Sequence, residues 1–220
     1  MSGTPDIAVL FDLDGVLLDT EPLYTEAIQA IVGRYGKTYD WSLKQHTMGR
    51  DARFGARLIV ERLDIPLRPE EFLAALTPIL ETVLARSPVF VGAERFVRAL
   101  RADGIKMAVA TSSDRRLFDI KTRPHSLFDA FDAIVCGDDP RVVAKKPAPD
   151  IFLAAAEDLR ATPSRCVVIE DSPAGVEAAL AAGMRVIALP DPAMSTDHYR
   201  NAHRVVTSYD TLSFSGIFDA

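Results

Sequence analysis

Cysteine is scarce in this 220-residue chain: Cys136 and Cys166 are the only two, each inside an apolar run. Two cysteines so placed do not build a disulfide framework, and a reducing, cytoplasmic setting is the simpler expectation. Tryptophan occurs once, and the four histidines (His46, His125, His198, His203) are scattered without the spacing of a metal site or a catalytic triad. They read as structural or surface residues. No apolar run approaches the roughly 20 residues that cross a bilayer, and the start, MSGTPDIAVL, has no basic leader and no long apolar segment, so no membrane partner and no secretion are expected. Lys and Arg total 25 against 31 Asp and Glu, a net charge of −6 without a dense basic block. Broad nucleic-acid binding therefore lacks an electrostatic footprint. Internal repeats, low-complexity segments and long apolar surface stripes are missing too, and the chain reads as a monomer.

What is present is an ordinary globular composition, 48% hydrophobic and 25% charged, at a length that suits one α/β domain or a core carrying an insertion. The organising stretch is Ile7 to Pro22. An apolar run, Ile7 to Phe11, ends in Asp12 and Asp14, then Gly15, then a second apolar run closing on Asp19-Thr20-Glu21. The first run reads as a buried strand, and period two would point Asp12 and Asp14 the same way from its carboxyl end. From Thr20, a candidate N-cap, to Arg86 the pattern is helical throughout. Leu23, Ala27 and Ile31 mark one helix, Ala52–Leu63 a second, and Pro69 to about Val83 a third. Residues 19–87 thus read as an all-helical insertion. Beyond Pro88, helices alternate with strands at 105–110, 132–136, 166–169, 185–189 and around Val205-Val206. That alternation predicts a parallel sheet with helices on both faces.

Four of the expected strands end in small or acidic groups: Asp12/Asp14, Thr111/Ser112, Gly137/Asp138 and Glu170/Asp171. In an open parallel sheet all carboxyl ends lie along one edge, where ligands bind, so these groups can converge. Asp12 is placed to be a metal ligand, a nucleophile, or both, and Asp14 to move a proton. Glu170 and Asp171 would complete an oxygen site of the kind magnesium takes. The Thr111 hydroxyl and the N–H groups of Ser112 and Ser113 offer donors to a phosphate, and Lys146 offers a fixed cation. A calcium EF-hand does not fit, since Gly15 comes too early and a strand precedes it.

The pieces FDLDGVLLDTEP, ATSSD, KKPAPDIF and IEDSPAGVEAA resemble, in order, the four motifs of the haloacid dehalogenase superfamily. The resemblance spans essentially the whole chain. It implies a Rossmann-like, doubly wound parallel sheet core (residues 1–18 and 88–220) with a small helical cap (19–87) inserted after the first strand, and a magnesium-dependent aspartyl-phosphate mechanism. Carried over by position, Asp12 is the nucleophile and Asp14 the general acid/base. Thr111 and Lys146 bind the phosphoryl group, with donors from Leu13, Asp14 and Ser112. Magnesium is held by the Asp12 side chain, the Asp14 carbonyl, Asp171 and Glu170, the last directly or through water. Within the superfamily, RYGKTYDWSLKQHTMGRDA, CGDDPRVVAKKPAPDIFLAAAEDL and IEDSPAGVEAALAAGMRVIALPD resemble the eukaryotic pseudouridine-5'-phosphatase and glycerol-3-phosphatase branch. This implies hydrolysis of a small phosphorylated metabolite.

Arg50 and Glu21, on the insertion side, and Ser113 join Leu13 and Ser112 as candidate substrate-binding residues. Lys145 reads as a surface residue, because the motif places its lysine directly before Pro147. Arg115 and Arg116, after ATSSD, are two further cations expected near the site. Competing readings are a sugar-phosphate mutase of the β-phosphoglucomutase type, which shares the core motifs, and a non-catalytic binding module on the same scaffold. A dehalogenase would lack Asp14. A phosphonatase would need a cap lysine, and neither Lys37 nor Lys44 lies in an obvious match.

Overall fold

The computed structural model describes residues 7–47 and 52–212. In chain order the elements are β1 (Ala8–Phe11), α1 (Glu21–Val32), α2 (Trp41–Lys44), α3 (Ala52–Leu63), α4 (Pro69–Leu84), α5 (Ala93–Ala102), β2 (Lys106–Ala110), α6 (Arg115–Thr122), β3 (Ala133–Val135), α7 (Asp150–Asp158), β4 (Cys166–Glu170), α8 (Pro173–Ala181), β5 (Arg185–Ala188) and β6 (Arg204–Val205), with short 3-10 turns between some of them. Among the described residues, the six strands form one sheet in the order β3-β2-β1-β4-β5-β6, each pairing parallel. This is the Rossmann-like, doubly wound arrangement, and its order reverses between β1 and β4.

Central strands are near-continuous apolar runs because both faces are covered. Along β1, Val9 and Phe11 pack into one cluster with Phe96, Val97 and Leu100 of α5. Ala8 and Leu10 face the opposite cluster with Phe152 of α7 and Val176 of α8. Each buried side chain of this size contributes about 1.5–3 kcal/mol. In-phase register, Phe11 opposite Val109 on one side and Ile169 on the other, brings the ends of β2, β1 and β4 to one level.

Between β1 and α5 the elements of the described residues are helices, α1 to α4 with one 3-10 turn. Leu23, Ile31, Ile59, Phe72, Leu76 and Leu84 form a third cluster, separate from the two that sandwich the sheet. The two crossings into this block run side by side. Leu18 bridges Val89 antiparallel, Asp19 N–H donates to the Pro88 carbonyl at 2.9 Å, and Phe90 N–H donates to the Leu17 carbonyl at 2.8 Å. No helix among the described residues is long and apolar enough to cross a membrane.

Candidate active site

The strand ends at Phe11, and residues 12–18 fold into a compact turn instead of continuing extended. Gly15 adopts φ +79° there, and Leu17 and Leu18 N–H both donate to the Leu13 carbonyl at 2.9 Å. The Tyr209 hydroxyl, buried, donates to the Val16 carbonyl at 3.2 Å and fixes the turn from behind. This turn overrides the period-two expectation: Asp12 and Asp14 diverge. Asp12 Oδ1 accepts from Lys146 Nζ at 2.5 Å. The Asp14 carboxylate instead accepts from Lys121 Nζ at 2.7 Å on each oxygen, from the Thr20 hydroxyl at 2.7 Å and from the Ser113 hydroxyl at 3.1 Å.

Asp12, Glu170 and Asp171 bring one carboxylate oxygen each to within 4.8 Å of one another, at the point where the sheet order reverses. Lys146 reaches this cluster from the loop before α7, next to a cis Lys146–Pro147 peptide, and donates also to Glu170 Oε1 at 2.7 Å and to the Ala110 carbonyl at 3.3 Å. Lys145 is exposed, as expected from its position. The second Glu170 oxygen accepts from Ser172 N–H at 2.7 Å and from the Ser172 hydroxyl at 3.0 Å. Two glycines make room for these carboxylates. A Cβ on Gly15 would overlap Asp171 Oδ2, and one on Gly175 would overlap the Glu170 carboxylate.

Three carboxylates face one ammonium here, and the imbalance shows in their proton affinities. Burial, opposed by Lys146 and reinforced by Glu170 and Asp14, pushes Asp12 up to about 7. Burial together with the charges of Glu170, Asp12 and Glu21 holds Asp171 well above the usual carboxylate range. A hard cation with oxygen ligands fits such a donor set, and would relieve the excess negative charge. Asp14 behaves oppositely. Burial alone would raise it, but Lys121 and the hydroxyls of Thr20 and Ser113 outweigh that and hold it below its ordinary range.

Thr111, at the end of β2, is buried, and its Oγ1 accepts from Ser113 N–H at 3.1 Å, which leaves its own proton to donate elsewhere. Among the described residues, the N–H groups of Leu13, Asp14 and Ser112 are not taken by another protein group. Ser113 is spent within the protein: its N–H serves Thr111, its carbonyl accepts from Gly137 N–H at 2.8 Å and its hydroxyl serves Asp14. Glu21 sits in the first turn of α1, where Lys44 Nζ lies 3.3 Å from Oε2. Burial raises Glu21, against the pull of Lys44. Thr20 precedes α1 as expected but makes no side-chain cap, because its hydroxyl is turned to Asp14. Arg50 lies outside the described residues.

The two arginines expected beside the site are committed elsewhere. Arg115 reaches the Ile134 carbonyl at 3.1 Å, with its guanidinium 5.3 Å from the Phe118 ring centre. Arg116 pairs with Glu81 of α4 at 2.8 Å. The residue that sequence reasoning missed is Lys121, fully buried at 0% exposure in the last turn of α6. A signal was available: it lies three residues after Phe118 and one before Thr122, on the buried stripe of that helix.

A family model described as haloacid dehalogenase-like hydrolase matches residues 8–183. The chain is 44% identical over 206 residues to (DL)-glycerol-3-phosphatase 1, mitochondrial, of Arabidopsis thaliana, covering 91% of this chain and 69% of that protein. It is 42% identical over 203 residues to a protein of Drosophila melanogaster named "Probable pseudouridine-5'-phosphatase", covering 90% and 88%. Among solved structures, CbbY from Rhodobacter sphaeroides in complex with phosphate superimposes with a TM-score of 0.80 at 26% identity, over 96% of this chain and 98% of that one.

Proposed function

The chain belongs to the haloacid dehalogenase-like hydrolases and is a phosphomonoester hydrolase, and from that premise we propose a magnesium-dependent phosphatase that works through an aspartyl-phosphate on Asp12. The observation that carries this reading is the convergence of Asp12, Glu170, Asp171 and Lys146 at the reversal of the sheet order, beside Thr111. A carboxylate nucleophile is one of the known routes to a covalent phosphoryl intermediate. An Asp12 oxygen forms a bond to phosphorus while the ester P–O bond breaks. Asp14 gives the departing oxygen a proton, then takes one from the water that hydrolyses the intermediate, releasing phosphate and restoring Asp12. Thr111, Lys146 and the N–H groups of Leu13, Asp14 and Ser112 hold the equatorial oxygens.

Magnesium would be held by the Asp12 side chain, the Asp14 carbonyl and Asp171. Both Glu170 oxygens are already engaged, which supports a ligand role through water for that residue. When bound, the ion supplies the positive charge that lets a phosphate dianion approach a carboxylate. We read residues 1–18 and 88–220 as the catalytic core and 19–87 as a cap, and keep Glu21 and Arg50 as candidate substrate-binding residues on the cap side. Small phosphomonoesters of sugars, polyols or nucleosides are the substrates in this reading, supported by relatives named for glycerol-3-phosphate and pseudouridine-5'-phosphate. The free, buried cysteines suit a reducing compartment, and we assign the cytoplasm. Every group named lies on one chain, so a monomer suffices. A phosphate-release screen with and without magnesium, across sugar, polyol and nucleoside phosphates, tests the proposal by kcat/KM. Transfer of phosphate between hydroxyls without release would point instead to a mutase.

A further inference from the structure

We propose that Lys121 is a positioning residue, holding Asp14 in the orientation needed for proton transfer to an alkoxide leaving group. The proposal rests on the phosphatase reading above. Lys121 occupies a core position of α6, between Phe118 in the sheet-side cluster and Leu117 and Ile120, which pack against the helical insertion. A lysine there is costly unless its charge is matched and its protons are bonded. Its ammonium lies 2.7 Å from each Asp14 oxygen, 2.8 Å from the Ser113 hydroxyl and 3.0 Å from the Tyr24 hydroxyl. An ammonium has three donors, so these four acceptors occupy all of them and leave none for substrate. Lys121 therefore acts through Asp14, not on the reacting atoms.

Asp14 needs such a holder because it sits on a turn, outside the strand ladder. Thr20 and Ser113 each touch one of its oxygens; Lys121 alone spans both, and so fixes the plane of the carboxylate. General acid catalysis depends on that alignment, and on the basicity of the leaving oxygen. An alkoxide departs only with a proton, whereas p-nitrophenolate leaves readily without one. The role of Lys121 should therefore show as a dependence on the leaving group, which loss of packing would not produce.

The test compares p-nitrophenyl phosphate with the alkyl phosphate that ranks first in the substrate screen. Lys121→Met is expected to lower kcat/KM on the alkyl phosphate about 100-fold, mostly in kcat, and on p-nitrophenyl phosphate by less than about threefold. In an Asp14→Asn background the same replacement should leave the alkyl rate unchanged within about twofold, because the group it positions is gone. Equal losses on both substrates, or a further loss in the Asp14→Asn background, would overturn the role. Should the methionine variant not fold, Lys121→Gln, which keeps two of the three donors on a shorter, uncharged side chain, is expected to show the same split in smaller measure, and a uniform loss there counts against the role equally. A wild-type enzyme releasing phosphate from neither substrate would sink the phosphatase reading itself. An active wild type with uniform losses sinks only Lys121.

Discussion

Asp12 and Asp14 stand two residues apart, yet each is paired with its own lysine. Lys146 Nζ is 2.5 Å from Asp12, and Lys121 Nζ is 2.7 Å from both oxygens of Asp14. The pairing is unequal. Lys146 is shared with Glu170, so Asp12 remains in a carboxylate-rich environment, whereas Asp14 is fully compensated. Two residues of one type thus acquire different chemistry from their surroundings.

Replacing Asp12 by Asn removes the proposed nucleophile while keeping its size. Turnover of every phosphomonoester should fall by about a thousandfold or more. The Tm, read by circular dichroism, should stay level or rise, because a crowded negative charge has been removed. Full activity in this variant would rule out a covalent route through Asp12.

The raised position of Asp12 makes metal-free stability depend on pH in a definite direction. An unfolded aspartate titrates at about 4, whereas Asp12 in the folded chain is pushed up to about 7. Between these values the native state binds more protons than the unfolded state, so stability falls as pH rises toward and through 7. Asp171 acts in the same sense. Asp14 acts oppositely, but only below its ordinary value, under acid conditions. In EDTA the Tm should therefore drop between pH 5 and pH 8. Magnesium should offset most of that drop, since it favours the ionised carboxylates. A Tm that climbs over this range in EDTA would contradict the electrostatic picture.

Gly175 lies in the first turn of α8, where alanine would ordinarily improve a helix by about 0.5–1 kcal/mol. Here its Cβ would run into the Glu170 carboxylate. Gly175→Ala should therefore lower the Tm and weaken magnesium binding by calorimetry, because Glu170 must leave both Lys146 and Ser172. Unchanged magnesium affinity would show that Glu170 has no part in the metal site.

Much of this arrangement was legible before any coordinates. A parallel sheet was readable from alternating helices and strands, and with it the convergence of Asp12, Thr111, Glu170 and Asp171, because the carboxyl ends of parallel strands share one edge. Ser172 and Asp114 cap their helices, a role that serine and aspartate ordinarily take at that position. The direction of Asp14 was not legible, since it depends on where pairing stops and on one positive φ at Gly15. Lys121 was hidden because a lysine near a helix carboxyl end ordinarily points to water and complements the helix dipole. Only the opposing Asp14, 107 residues earlier in the chain, makes burial of its charge tolerable. Thr20 shows the same limit: its type and place predict a cap, but a nearer carboxylate claims its hydroxyl.

The helical block has its own apolar centre, with Phe72 at 0% exposure in it. Phe72→Ala should cost about 3–5 kcal/mol locally. Hydrogen exchange should accelerate first in α1, α3 and α4 while β1 and β4 stay protected. Simultaneous loss of protection in both would show the two parts to be one cooperative unit.

The paired crossings at Leu18 and Val89 carry a consequence for how such chains diversify. Entry to and exit from the helical block are adjacent, hydrogen-bonded segments. A cut there leaves core ends that are already neighbours, so the block can be shortened, exchanged or grafted between homologues without rethreading the sheet. The chain crosses there by only two adjacent segments, and the rest of the boundary is side-chain contact, such as Arg116 of α6 with Glu81 of α4, that a replacement block would have to match.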